Sequence, residues 1–137
     1  MDRGYKTVDH TADVAVEFWA PSEQELLVEG ARAVVDLLTE GAKVAETDSR
    51  AFELESIDPE DRLVHWLNEV LWLALSEGFL AADASIRLDE GGLGATVRGE
   101  AGAGSRITSE LKSATYHDLM LGRDPGGGWR ARVVIDV

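Results

Sequence analysis

The stretch DPEDRLVHWLNEVLWLALSEGF, residues 58–79, leaves little choice of local structure. Leu63, Val64, Leu67, Val70, Leu71, Ala74 and Leu75 recur at three- and four-residue spacing, the period of a helix with one apolar face. Asp58 stands where an N-cap belongs and Pro59 suits the first helical position. Glu60 and Asp61 complement the helix dipole, and Gly78 suits the end. Such a face must be covered by a second layer. A companion helix is predicted from about Glu23, where Ser22 and Glu25 form an S-x-x-E capping box. Leu26, Leu27, Ala31, Val34, Val35 and Leu38 supply its stripe, and Gly41 suits its C-cap. Trp72 falls opposite the second helix's stripe, beside His65 and Glu69. A tryptophan there either lies under a loop or anchors a partner.

The remaining segments read as strands. Val14–Trp19 is the first, and RAFELESI carries a looser one through Phe52, Leu54 and Ile57. ASIRLDEGGLGATVRGE predicts a hairpin turning at Gly91-Gly92. SRITSELKSATYHDLML gives one or two strands, GRDPGGG a turn, and WRARVVIDV a closing strand. Ala101–Ser105 is a loop, and no repeat or linker divides residues 1–137, so a single domain is expected. The order predicts an α+β fold with two helices packed on one face of a mixed, mainly antiparallel sheet.

Charge narrows the function. Thirteen Lys and Arg against 26 Asp and Glu leave −13, and such a surface repels phosphate backbones. A basic protein or a divalent cation is the better partner, although acidity can also serve solubility alone. The absence of cysteine excludes disulfides, thiolate zinc sites and cysteine nucleophiles. The opening MDRGYKTVDH lacks the apolar core of a signal peptide, and no run is long enough to span a membrane. A cytoplasmic location is expected.

Three places hold groups capable of chemistry. DHTAD supplies Asp9, His10 and Asp13, and TYHD supplies Tyr116, His117 and Asp118. The chain end supplies Asp136 and the carboxylate of Val137. Hard divalent cations take carboxylate, carbonyl and water oxygens, so aspartates at the ends of two neighbouring strands would serve. Each could equally be a solvated loop or capping group. Gly91–Gly94 and Gly126–Gly128 lack phosphate-loop spacing and read as turns. No G-x-S-x-G or H-E-x-x-H occurs.

Together, H-T-A-D before a strand, K-x-x-T-Y-H-D and a terminal Asp followed by a branched aliphatic resemble the archease family. The matching blocks span nearly the whole chain. The resemblance implies a non-enzymatic, chaperone-like activator of an RtcB-type RNA ligase, which works with GTP and manganese in tRNA splicing and RNA repair. Such an activator promotes guanylylation of the ligase and its multiple turnover, and meets RNA only through the ligase. The resemblance also implies a divalent metal, calcium or magnesium or manganese, held by Asp13, Asp136 and Val137, with no ligand role carried over for His10 or His117. Two other readings remain. One is a metal-dependent phosphohydrolase built on Asp9, His10, Asp13, His117 and Asp118. The other is a general chaperone or adaptor for nucleic-acid-processing enzymes.

Overall fold

A computed structural model describes residues 2–9 and 13–137, with Asp9 described by its backbone alone. Helix α1 spans Glu23–Thr39, with Ser22 as its N-cap. Ser22 Oγ accepts from the Glu25 amide at 3.2 Å and donates to the Glu25 carboxylate at 2.9 Å. The left-handed C-cap falls on Glu40 (φ 55), one residue before the expected glycine, and Gly41 follows at φ 85. Helix α2 spans Pro59–Glu77, with Asp58 accepting from the Asp61 amide at 2.7 Å and Gly78 closing it in the left-handed region.

The α+β class and the two helices are present. The strands divide between two sheets, however, and every pairing is antiparallel. One sheet joins β1 (Gly4–Asp9), β2 (Asp13–Ala20) and β8 (Trp129–Asp136) in the order β1-β2-β8. Both β6 (Ser113–Ala114) and β7 (Met120–Arg123) pair along the far edge of β8. The other sheet joins β3 (Asp48–Glu55), β5 (Gly92–Glu100) and β4 (Leu80–Asp89) in the order β3-β5-β4. α1 packs against β2 of the first sheet and β4 of the second. The arrangement follows from burial, because α1 is apolar over a wide arc, leaving Glu25, Glu29, Arg32 and Asp36 on the remaining face, and needs cover on more than one side. One continuous core runs from Phe18 and Val133 through both helices to Leu80 and Val97.

At Gly30 the layers touch. A Cβ there would lie 2.9 Å from the Phe18 ring and 3.1 Å from Leu67, so β2, α1 and α2 meet at a residue without a side chain. The buried arc of α2 differs from the expected stripe at two residues. Trp66 is fully buried and donates its indole N–H to the Leu27 carbonyl at 2.7 Å. Leu75, expected on the core face, is 48% exposed.

β1 carries no apolar alternation and was not expected. It pairs only with β2, where an edge strand can be polar on both faces. Ile57 lies beyond the end of β3 and is exposed. The hairpin turns at Glu90-Gly91, and Gly92 already belongs to β5. Its φ is 151, and a Cβ would sit 1.8 Å from the Leu54 carbonyl oxygen. Among the described residues no helix is long and apolar enough to cross a membrane.

Candidate functional site

Antiparallel pairing of β2 with β8 sets Asp13 directly opposite Asp136. β8 continues the register outward to β6, where Ser113 faces Asp136. Directly opposed residues project to the same side of a sheet, with Cβ atoms roughly 5 Å apart. Asp13, Asp136 and Ser113 therefore form one row across three strands, on the side away from the core residues Val16, Phe18, Val133 and Ile135. The row lies where β2 begins and β8 ends. Asp136 is exposed, and its carbonyl accepts from the Lys112 amide at 2.8 Å. Val137 follows, 44% exposed. Asp13 Oδ1 is shut off from solvent.

Two like charges directly opposite one another on a sheet repel. A hard cation would relieve the repulsion, and among the described residues the row offers oxygen donors alone. Calcium, magnesium and manganese suit that donor chemistry better than zinc or copper. Among the described residues no group of three His, Asp or Glu side chains gathers to hold a metal, in this row or elsewhere. The third donor here would be the chain terminus, supplied by Val137.

The other candidates are placed differently. His10 lies outside the described residues, as does the side chain of Asp9. His117 and Asp118 sit on the turn between β6 and β7, both largely exposed, and pair with each other at 3.3 Å. Asp118 takes a left-handed conformation there (φ 50). The described residues bring no further acid or histidine to that pair in a metal-holding group.

Tyr116 has a partner that its local sequence did not announce. Its hydroxyl donates a short hydrogen bond to Asp61 in the first turn of α2. That bond to a carboxylate pushes the Tyr116 phenol up to about 12. The same bond, with a second from the Ile57 amide, holds the Asp61 carboxyl below its usual range. Beyond Asp61, His65 Nε2 lies 3.2 Å from Asp61 Oδ1 and Nδ1 lies 2.7 Å from the Glu55 carbonyl. The chain of contacts ties the turn after β6 to the end of β3 in the other sheet. No local spacing rule could have found the Tyr116 bond, because Tyr116 and Asp61 are 55 residues apart.

Comparison with known proteins places the chain in a lineage. The model of the archease protein family matches residues 5–137. A protein archease of Methanopyrus kandleri is 32% identical over 97% of this chain and 99% of its own. One from Archaeoglobus fulgidus is also 32% identical, over 97% of this chain and 98% of its own. The solution structure of protein 1598 of Methanobacterium thermoautotrophicum superposes with a TM-score of 0.76 at 26% identity, covering 98% of this chain and 99% of that one. The crystal structure of an archease from Thermotoga maritima, described as a possible chaperone, has a TM-score of 0.60 at 26% identity and covers 96% of each chain.

Proposed function

The chain belongs to the archease protein family, and from that premise we propose that it is a non-enzymatic activator of an RtcB-type RNA ligase. It promotes guanylylation of the ligase and multiple turnover in tRNA splicing and RNA repair. The observation that carries this reading is the opposition of Asp13 and Asp136 beside the terminal carboxylate of Val137, on the exposed rim of a sheet. A catalytic centre would need an acid, a base or a nucleophile converging in a cleft. A rim of oxygens suits presentation of a cation to another protein. Asp13, Asp136 and Val137 would hold calcium, magnesium or manganese, which would supply a positive charge with coordination positions left to water or to the partner. The net charge of −13 favours encounter with a basic, RNA-binding enzyme over encounter with RNA itself.

The test is the rate of label transfer from GTP to the cognate ligase, with wild type, with Asp13→Ala and across a salt series. Acceleration by wild type that Asp13→Ala loses supports the reading. No acceleration by wild type removes the activator. Equal acceleration by Asp13→Ala keeps the activator and discards the metal as its means. A second reading, a chaperone with a broader clientele, draws on the description of the Thermotoga maritima relative. It expects suppression of aggregation for unrelated unfolded clients, which a specific activator would not show.

A further inference from the structure

The chain contains a single asparagine, Asn68, and it lies half-buried in α2. Its side chain is directed at the backbone of β6. The amide oxygen accepts from the Ala114 N–H at 2.7 Å, and the NH2 group donates to the Ala114 carbonyl at 3.2 Å. These are the two bonds that a neighbouring strand would make to that residue. A carboxylate cannot donate and an alkyl chain can do neither, so an amide is the side chain that suits the place.

β6 needs such a neighbour. It has two residues, and its other edge is taken by β8. There the Lys112 amide donates to the Asp136 carbonyl at 2.8 Å and the Thr115 amide to the Val134 carbonyl at 3.0 Å. Ala114, between them, turns its own N–H and C=O the opposite way, to Asn68. Ala114 is buried, so loss of these partners would leave two peptide groups unmet away from water. Asp136 is the last residue of β8, and strand ends open more readily than strand centres. β2 flanks it on one side through Asp13, and the Lys112–Ser113 segment flanks it on the other. A path of backbone contacts therefore runs from Asn68 through Ala114 and Lys112 to Asp136. It runs in the plane of the sheet, so it reaches Asp136 although the carboxylate row lies on the side away from the core.

We propose that Asn68 is a positioning residue for the cation. By completing the free edge of β6 it holds Asp136 in register with Asp13, and so sets the affinity of the row for a divalent ion. The inference rests on the reading of Asp13, Asp136 and Val137 as holders of that ion, and it adds a residue from the helical layer. A cation shared by two carboxylates needs both in place, so its apparent affinity falls with the fraction of molecules in which they are. The segment that carries β6 has other anchors. The Thr108 and Ser109 amides donate to the Leu38 carbonyl, and Tyr116 bonds to Asp61. Loss of the Asn68 bonds therefore frees the register of β6 and leaves the fold in place.

The experiment measures calcium affinity of the full chain by calorimetry and amide hydrogen exchange in chelator by NMR. Wild type, Asn68→Leu and Asn68→Asp are compared, with Asp13→Ala as reference and thermal melting in chelator as the check on folding. Asn68→Leu removes both bonds and is expected to weaken calcium binding about tenfold. A loss of that size means that the register is formed in about one molecule in ten, so the Lys112 amide should lose nearly all its protection. Asn68→Asp keeps the acceptor and loses only the donor, which keeps the test decisive should Asn68→Leu fold poorly. Its added negative charge would by itself tighten calcium binding, and the proposal expects the opposite sign, a several-fold weakening. Calcium affinity retained in both variants while Asp13→Ala loses it overturns the positioning role and leaves the cation site standing. A lowered melting temperature with unchanged affinity makes Asn68 a purely structural residue and also overturns the proposal. Wild type that binds no calcium, or Asp13→Ala that binds it undiminished, overturns the cation site and the inference together.

Discussion

Asp136→Asn should make the protein more stable without calcium and less stable with it. Asp136 faces Asp13 directly, and at a separation of roughly 5 Å two unit charges in a water-like dielectric repel by about 0.8 kcal/mol. Asp136 is exposed while Asp13 Oδ1 is shut off from solvent, so the water-like value is a lower bound. Removing the Asp136 charge returns at least that amount. A chain of 137 residues has an unfolding entropy of about 0.29 kcal/mol/K. The variant should therefore melt at least about 3 °C above wild type in a chelator. With calcium at about a hundred times its dissociation constant, wild type gains about 2.7 kcal/mol, or about 9 °C, and the variant gains little. The order of the two melting curves then reverses, with wild type ahead by up to about 6 °C. The assay is thermal denaturation by circular dichroism in chelator and in calcium, with the dissociation constant set first by calorimetry. A single crossing of this kind is hard to obtain by accident, because one substitution must act with opposite sign in the two buffers. A variant that melts below wild type in chelator, or shifts equally with calcium, would refute the like-charge and shared-cation reasoning.

The Tyr116 phenol, raised from 10.0 to about 12 by Asp61, should titrate late in tyrosinate absorbance, read in a Tyr5→Phe background because burial raises Tyr5 too. A raised acid stabilises the fold fully below its unfolded value, so this contribution is intact below about pH 10 and lost as the pH climbs towards 12. Asp61→Asn should return the midpoint towards 10.0, and an unmoved midpoint would count against the hydrogen bond. Gly92→Ala would force a Cβ to within 1.8 Å of the Leu54 carbonyl oxygen and break the start of the β3–β5 pairing. We expect it to cost at least about 3 kcal/mol, lowering the melting temperature by about 10 °C. Gly91→Ala, where a Cβ meets open space, is the control, and equal losses from the two would discard the steric account.

Helix limits were legible in the sequence because capping joins residues three or four apart. Ser22 with Glu25, Asp58 with Pro59, and Gly78 each act where the local pattern placed them. The candidate ligands were legible only as residue types near strand ends, and their grouping came from the family resemblance. Tertiary structure decided the rest. Whether strands join one sheet or two depends on which faces the helices leave uncovered, and α1 needed cover on both sides. Trp66 lies in the core and Leu75 does not, and the Trp66 indole finds its partner in the Leu27 carbonyl of α1. β1 hid because an edge strand needs hydrogen bonds more than apolar alternation. The opposition of Asp13 and Asp136 joins the two ends of the chain through a register, and a slip of one residue would turn one of them to the other face. That register is held by Val16, Phe18, Val133 and Ile135 in the core, so packing far from the rim is what sets the two carboxylates side by side.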